Sequence, residues 1–531
     1  MATSPLSRAR SETAVFITSS VEKNDDSQDA LLTKLGLKQE FKREFNLMVS
    51  FGVSFCIISP LTRVGVGFTG AWISSGPAAA VWGFKIVSLL AMCIGLSMAE
   101  IVSGLPSSGG PYFWSSWLGG KYGPYLSWVT GWFNLLGQVS TTAAVAACGC
   151  LFVQSMLTVV FGIPTTQVEA LAIYVAFLLV GGLINSCPPR WLARSIAFGV
   201  FVNIAGVIFL VLLMTTVAPW HTTPKFVWGT FLGKYGAPLP PTNSLQDNVL
   251  LFAQGCAMST FVFLGYDSSA HVSQETRGAD SAVPYAIILA VAASSIVGYV
   301  LILGLLFNIQ NPYDLLTGEA KGFTTGQIIV DVFKARYGTG KGVVVAYCIL
   351  ILACTLCVTA SLCANSRMIF AFARDKGLPF SAYFKHVGTR ARTPIRALWL
   401  AVAGAFVMGL PILANHVASL VFGAVISVCT LGVQVSYGIP ILCRLTISRG
   451  TFKRGPFHLG RYSDIVGWLA ILYVVLSSAI FSLPASYPVT VSTLNYTPLA
   501  LGVILLGCTV SWFFPKPEVG MFSSPPILAP L

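Results

Sequence analysis

The stretch that decides the fold is residues 248–276, NVLLFAQGCAMSTFVFLGYDSSAHVSQET. It begins as an apolar membrane span and then reaches GYDSSAH, residues 265–271, before the chain has clearly left the bilayer. A charged side chain inside a span costs several kcal/mol and is usually retained for function. Broken backbone at membrane depth is tolerated where it faces protein or a water-filled cavity. The pattern therefore predicts a helix broken at a transport site. The alternative is that the span ends at residue 265 and Asp267 lies in a loop.

Composition places this stretch in a polytopic membrane protein. The chain has 531 residues, of which 55% are hydrophobic and only 10% are charged, far fewer than in a soluble protein. That apolar content fills roughly twelve spans of about 20 residues each. We therefore predict an all-α fold with a cytosolic, largely disordered N-terminal tail (1–45), a transmembrane transporter domain (46–514) and a cytosolic C-terminal tail (515–531).

Hydropathy and turn residues divide the domain into twelve predicted spans. In chain order they are 46–70, 78–102, 125–160, 168–186, 195–217, the stretch quoted above, 284–308, 342–372, 396–413, 417–443, 464–483 and 496–514.

The net charge of +13 is interpreted as an orientation signal and not as a nucleic-acid signal. Basic residues collect on cytoplasmic connections of membrane proteins. The even-to-odd connections, the N-terminal tail and the C-terminus hold most of the Lys and Arg here, which predicts that both termini are cytosolic. The connection after span eight holds Arg367, Arg374, Lys376, Lys385, Arg390, Arg392 and Arg396, and the one after span ten holds Arg444, Arg449, Lys453, Arg454 and Arg461.

An inverted repeat predicts a second broken helix five spans earlier. Span one contains IISPLTRVGVG, residues 57–67, with a proline, an arginine and two glycines inside an apolar segment. Pro60 removes a backbone donor and clashes with the preceding turn, so the helix should open there. Two interpretations of Arg63 stay open. It belongs to the site and binds a substrate carboxylate, Asp267 or water, or it extends to the membrane surface.

Other polar groups in the spans carry less weight. Asn134 and Asn203 either line a cavity or join helices, while Lys85 and Glu100 lie near opposite ends of span two, within reach of an interface. The five histidines are placed in loops, turns or span ends and form no catalytic constellation. The pair Cys354 and Cys357 has metal-site spacing but lacks a second ligand pair. We predict no metal, no cofactor and no enzymatic activity.

Several motifs together point to one family. They are LSMAE (96–100), PSSGGPY (106–112), TGWFN (130–134), GYDSSAH (265–271), NSRM (365–368), ARD (373–375), SLP (482–484) and LNYTP (494–498). In this order and on these spans, the chain resembles the amino acid–polyamine–organocation superfamily. It is most similar to the amino acid/choline and GABA permease branch, and within it to the plant-type bidirectional amino acid transporters.

The resemblance implies twelve helices, two five-helix inverted repeats and a substrate site at the unwound parts of helices one and six. Free N–H groups at a half-helix start would hold the substrate carboxylate, and unwound carbonyls would receive its ammonium. Together with Arg63, the candidate substrate-binding residues are then Ser59, Pro60, Leu61, Thr62, Phe263, Gly265, Tyr266, Asp267 and Ser268.

Two departures from the family pattern affect these expectations. The usual glycine-rich break in helix one is replaced by SPLTR, residues 59–63. Some proton-coupled relatives carry a lysine in helix five, whereas residues 203–212 contain none. Coupling through that lysine is not supported. Coupling to a proton through another group, or to a counter-substrate, stays open.

We therefore expect a secondary or facilitative carrier for amino acids, with GABA among the candidates, or for related small amines, working by alternating access. It would contact lipid and a small substrate but no nucleic acid, in the plasma membrane or an organelle membrane. A choline- or polyamine-type carrier and a nutrient sensor are the alternatives. A channel would need a polar stripe or a ring of like charges, which the sequence lacks. Asp267 has two open roles: a helix cap, or a charged group that pairs with the substrate ammonium or Arg63 or takes up a proton.

Overall fold

The computed structural model describes residues 28–30, 32–232, 245–320, 322–388, 393–413, 418–483 and 497–513. These residues form helices and connections without a β-strand. One isolated parallel bridge joins Phe45 to Thr276. Parts of the chain named above lie outside the described residues, including both termini, residues 484–496 and Arg390 and Arg392.

The helices are numbered here from Leu47 onward. They are α1 (Leu47–Ile58), α2 (Pro60–Ser74), α3 (Phe84–Gly104, preceded by a π-turn at Ala79–Gly83), α4 (Pro111–Leu118), α5 (Gly123–Phe161), α6 (Gln167–Ser186), α7 (Pro189–Val217), α8 (Pro224–Gly229), α9 (Leu245–Val262), α10 (Ser268–His271), α11 (Ala279–Phe307), α12 (Thr324–Tyr337), α13 (Val344–Arg374), α14 (Ser381–Phe384), α15 (Ile395–Gly409), α16 (Ala418–Thr446), α17 (Ser463–Ser482) and α18 (Thr497–Phe513).

Within the described residues, ten helical segments are long and apolar enough to cross a membrane. Two shorter apolar helices, Asn248–Val262 and Thr497–Phe513, occupy the positions of predicted spans six and twelve. All twelve predicted spans thus coincide with helices, and the polytopic all-α fold is confirmed. The count of twelve crossings and the inverted repeats stay predictions.

The first span breaks at Ser59. This residue has φ 36°, in the left-handed region, and separates α1 from α2. Pro60 takes the first position of α2, where its missing N–H leaves no hydrogen bond unmade. The helix therefore opens at the proline, as expected, while Gly65 and Gly67 lie inside regular α2.

The sixth span breaks after Val262. Residues 263–267 are irregular, the four-residue α10 follows, and a 3₁₀ turn covers Ser273–Glu275. Asp267 is fully buried. Asp267 therefore lies outside the regular helix, as in the alternative interpretation, but inside the bundle and not at its surface.

The longest helix, α5, is the centre of the bundle. It packs against α4, α6, α13 and α16 over its 39 residues. Close approach depends on small side chains: a Cβ added to Gly131 would lie 2.4 Å from the Phe372 ring of α13. This helix brings polar residues from its middle turns to the two breaks.

Residues 28–30 and 32–45 cover one end of the bundle. Leu32, Leu35 and Phe41 are buried there, and the Phe41 ring lies 4.9 Å from the Phe370 ring. For these residues the structure differs from the predicted disordered tail, because their apolar side chains pack on the bundle. The helix α1 begins at this end and α2 finishes at the opposite end. The two helices together therefore carry the chain across the bundle.

Two charged residues are placed differently from the prediction. Glu100 does not reach an interface: it is fully buried, 3.2 Å from Arg444 Nη2, and accepts a hydrogen bond from Ser463. Arg367 lies inside α13 and not in the following connection, because Glu275 neutralises it there. In both cases an opposite charge from a distant segment makes burial tolerable.

Candidate functional site

The two broken helices lie against each other in opposite directions. Before the first break, Ser54 Oγ accepts a hydrogen bond at 2.9 Å from the N–H of Ser269, which lies beyond the second break. After the first break, Arg63 Nη1 donates to the Phe261 carbonyl at 2.9 Å, before the second break. The arrangement is antiparallel, as the predicted inverted repeat requires.

Side chains hold the first break in its strained form. Ser59 Oγ lies 2.9 Å from Thr62 Oγ1 and 2.9 Å from Asn203 Oδ1 on α7. A non-glycine residue in the left-handed region costs about 1–3 kcal/mol and persists where its surroundings determine it. Asn203 therefore positions the break and does not line an open cavity.

Arg63 is buried, and no carboxylate of the described residues pairs with it. Its side chain is fully enclosed, and its guanidinium lies 5.2 Å from the centre of the Phe261 ring. Its Nη1 is bonded, but its Nε and Nη2 have no hydrogen-bond partner in the described part of the chain. The thiols of Cys148, Cys357 and Cys429 are the titratable groups nearby. This burial contradicts the alternative in which Arg63 extends to the membrane surface.

Asp267 faces a ring of hydrogen-bond donors. It stands at the N-cap position of α10, yet its side chain makes no capping bond. Gln138 Nε2 lies 3.0 and 2.9 Å from its two oxygens, and the Tyr437 hydroxyl lies 2.6 Å from Oδ1. Asn134 Nδ2 and His271 Nε2 are each 3.2 Å from Oδ2. The helix-cap role is therefore absent here, and Asp267 joins α10 to α5 and α16.

Gly265 permits the second break. Its φ is 88°, and an added Cβ would lie 2.4 Å from Ile57 Cγ2. Its N–H donates to the Tyr437 hydroxyl at 3.2 Å. The N–H groups of Tyr266 and Asp267 have no acceptor among the described residues. These two donors are available to an anion at the opened backbone.

The remaining predicted site residues are all buried at the breaks. The Phe263 ring lies 5.1 Å from the Phe84 ring, and the Tyr266 ring lies 5.1 Å from the Tyr437 ring. The hydroxyls of Tyr266 and Ser268 have no hydrogen-bond partner among the described residues. Pro60, Leu61 and Thr62 form the first turn of α2.

Sequence reasoning missed three residues of this site. Gln138 follows Asn134 by four positions and His271 follows Asp267 by four, so each pair shares a helix face. That spacing was the signal available in the sequence. The structure places His271 in the core, whereas a loop or span end was expected. Tyr437 lies on α16, and nothing in the sequence around it indicated that it belongs to the site.

A cavity of about 660 Å³, called the vestibule below, opens toward the end of the bundle opposite residues 28–45. It is of a size that accepts a small molecule. Phe261, only 3% exposed, lines it and separates it from Arg63. Its walls come from α2, α5, α9, α16, α17 and the connection before α12, and include Val66, Gly70, Gln154, Met258, Glu319 and Phe323.

Comparison with known proteins agrees with this arrangement. A family described as "Amino acid permease" matches residues 45–506, which include both broken helices. The chain belongs to the amino acid permease family. It is accordingly an integral membrane protein that transports amino acids, and the resemblance drawn from the motifs is confirmed.

Three relatives illustrate the range of similarity in this amino acid permease family. The "Amino-acid permease BAT1 homolog" of Oryza sativa subsp. japonica is 38% identical over 92% of this chain and 94% of its own length. The "Amino-acid permease BAT1" of Arabidopsis thaliana is 36% identical over 92% and 95%. The "GABA-specific permease" of Saccharomyces cerevisiae is 28% identical over 88% and 81%.

Proposed function

We propose that this permease binds the carboxylate and ammonium of a free amino acid between its two broken helices and moves it by alternating access. The observation that carries the proposal is Arg63, a buried cation with two unused donor nitrogens. A buried charge costs several kcal/mol unless it is paired. A substrate carboxylate supplies the missing partner.

The free nitrogens of Arg63 suit a carboxylate. Nε and Nη2 form one edge of the guanidinium, which can bind both oxygens of a carboxylate at once. The same edge of Arg367 binds Glu275 in this protein, with Nε 2.8 Å from Oε1 and Nη2 3.3 Å from Oε2. The free N–H groups of Tyr266 and Asp267 add donors on the opposite helix.

Acceptors for an ammonium are also present. Gln138 Oε1 and Asn134 Oδ1 are buried and have no hydrogen-bond partner among the described residues. The hydroxyl oxygens of Tyr266 and Ser268 are equally unused. Buried polar atoms are normally bonded, so unused ones in a cluster favour a ligand.

Alternating access is supported by the unequal ends of the bundle. The vestibule gives access to Phe261 from one end. At the other end, residues 28–45 and the Glu275–Arg367 ion pair cover the broken helix. A carrier closed at one end and open at the other must exchange these states during transport.

The substrate class includes γ-amino acids, because GABA has both charged groups and a relative is named a GABA-specific permease. Choline and polyamines lack a carboxylate and would bring a second cation close to Arg63, which Coulomb repulsion disfavours. A nutrient sensor would bind the same amino acids without moving them.

Counterflow in proteoliposomes tests the proposal. Vesicles loaded with an unlabelled amino acid are diluted into the labelled compound, with α-amino acids, GABA, choline and putrescine compared. We expect counterflow of compounds that carry a carboxylate and none of choline or putrescine. Organocation counterflow would overturn the assignment of Arg63, and amino acid binding without counterflow would favour the sensor.

A further inference from the structure

Asp267 and His271 form a pair that the proposed function leaves without a task. Both side chains are fully buried. His271 Nε2 lies 3.2 Å from Asp267 Oδ2, and His271 Nδ1 lies 2.9 Å from the Ser108 carbonyl oxygen. The pair connects the second half of the broken helix to the turn before α4.

The bonds of this pair fix where its protons are. A carbonyl oxygen only accepts, so Nδ1 of His271 must carry a hydrogen in order to bond to Ser108. One further proton must lie between Nε2 and Asp267 Oδ2, because two lone pairs repel. The pair is then either imidazolium with carboxylate or imidazole with carboxylic acid, and both forms contain the same number of protons.

The other partners of Asp267 are donors only. The Tyr437 hydroxyl accepts from the Gly265 N–H, so its own hydrogen points to Asp267 Oδ1. Gln138 and Asn134 present amide nitrogens. His271 is therefore the only described neighbour able to accept a carboxyl proton, and the proton between Asp267 and His271 is shared by these two groups alone.

No charged side chain of the described residues replaces that proton if it leaves. On α13, which packs against α10, Arg367 is bound by Glu275 and Arg374 by Asp375. The side chains of α5 and α16 that reach the pair are neutral amides and the Tyr437 hydroxyl, and Tyr266 adds a neutral phenol. Loss of the proton leaves one buried, uncompensated negative charge, which costs several kcal/mol.

Loss of the proton also breaks a contact that holds the site closed. The remaining hydrogen of His271 serves either the Ser108 carbonyl or Asp267, and the other contact becomes repulsive. The Ser108 contact joins α10 to the turn before α4, and the Asp267 contact fixes the His271 ring against the start of α10. Release of the proton therefore requires α10 to move or water to enter. Both would happen if the bundle opened at the end that the Glu275–Arg367 ion pair covers, which is called this end below.

We propose that Asp267 and His271 together bind one proton and couple amino acid transport to a proton gradient. The pair holds the proton between Nε2 and Oδ2 while this end is closed and exchanges it when the end opens. This inference rests on the proposed carrier function and supplies the coupling group that helix five lacks.

The first test uses the wild-type protein in proteoliposomes, with counterflow at equal pH measured beside uptake driven by a pH gradient. With one proton per amino acid, a gradient of about one pH unit drives about tenfold accumulation, and a protonophore abolishes it. Wild-type protein that exchanges amino acids but neither accumulates them nor moves protons overturns the inference and leaves the proposed function standing. Absence of counterflow overturns the proposed function itself.

The second test assigns the site. The His271→Gln protein should show no accumulation beyond equilibrium, whereas His458→Gln, which alters an exposed histidine, should accumulate like the wild type. Accumulation by His271→Gln overturns the assignment.

Tyr437→Phe keeps the test decisive if His271→Gln does not fold. It removes one donor from the Asp267 carboxylate, so the pair binds its proton more tightly. The pH of half-maximal accumulation should move upward. An unchanged pH profile overturns the assignment.

Discussion

Arg367 binds Glu275 through two parallel hydrogen bonds, of 2.8 and 3.3 Å, in a position where both side chains are almost completely buried. The pair joins the 3₁₀ turn after α10 to the C-terminal part of α13. The Phe45 N–H binds the Glu275 carbonyl oxygen at 2.9 Å, and Gln39 Nε2 binds the Gln274 carbonyl oxygen at 2.7 Å. The N-terminal segment, the broken helix and α13 therefore meet at one ion pair.

Glu275→Gln should lower the free energy of unfolding by about 3–5 kcal/mol, because Arg367 is then buried without a counter-charge. The measurement is thermal unfolding of the detergent-purified protein. Glu319→Gln, which removes an exposed ion pair with Lys334, is the control and should cost under about 1 kcal/mol. Addition of Arg367→Met to Glu275→Gln should restore most of the stability, and a double variant as unstable as the single one would contradict the account.

Arg63→Gln should weaken the apparent affinity for a carboxylate substrate by more than about tenfold, or over about 1.4 kcal/mol. It should also raise the melting temperature, because it removes a buried cation without a partner. Concentration-dependent counterflow and thermal unfolding measure the two effects. Arg194→Gln, at an exposed position on α7, should change neither. Unchanged affinity in Arg63→Gln would exclude it from the substrate site.

Phe261→Ala should connect the vestibule to the space around Arg63. The ring that separates them is lost, so the thiols near Arg63 become accessible. In a background without the exposed Cys187 and Cys348, modification by a membrane-impermeant thiol reagent should accelerate by about tenfold. Bound amino acid should slow it again. A modification rate equal to that of the parent protein would show that Phe261 is not the barrier.

Gly265→Ala should destabilise the protein by about 1–3 kcal/mol, because it forces a side chain into φ 88° and against Ile57. Thermal unfolding and counterflow should both decline. Gly507→Ala is the matched control: a Cβ at Gly507 meets open space within a regular helix, so stability should be unchanged or slightly higher. Equal effects of the two substitutions would contradict the role assigned to the break.

Tags at both termini should be inaccessible from outside intact cells and become accessible after permeabilisation. The expectation rests on the connections after spans eight and ten, which remain basic although Arg367 is buried. A tag inserted between α11 and α12 should show the opposite behaviour. External labelling of either terminus would reverse the orientation.

Much of the architecture follows from the sequence alone. Spans are long apolar runs, and a bilayer requires every lipid-facing backbone group to be bonded within its own helix. Each predicted span therefore appears as a helix. Both breaks were also visible in the sequence, since Pro60 cannot continue a helix and Gly265 begins a polar run within an apolar span. These are local properties of the chain.

Tertiary structure alone decided which groups meet at the breaks. The sequence is equally compatible with Asp267 as a helix cap or as a functional charged group. The structure decides between them, because Gln138, Tyr437 and His271 surround its carboxylate. The sequence likewise predicted Arg367 in a loop, and only the structure shows Glu275 beside it in the core. Partners such as Tyr437 and Asp267 lie 170 residues apart. Hydropathy and helix propensity act over a few turns, whereas the cost of burying a charge is settled by whichever distant side chain reaches it.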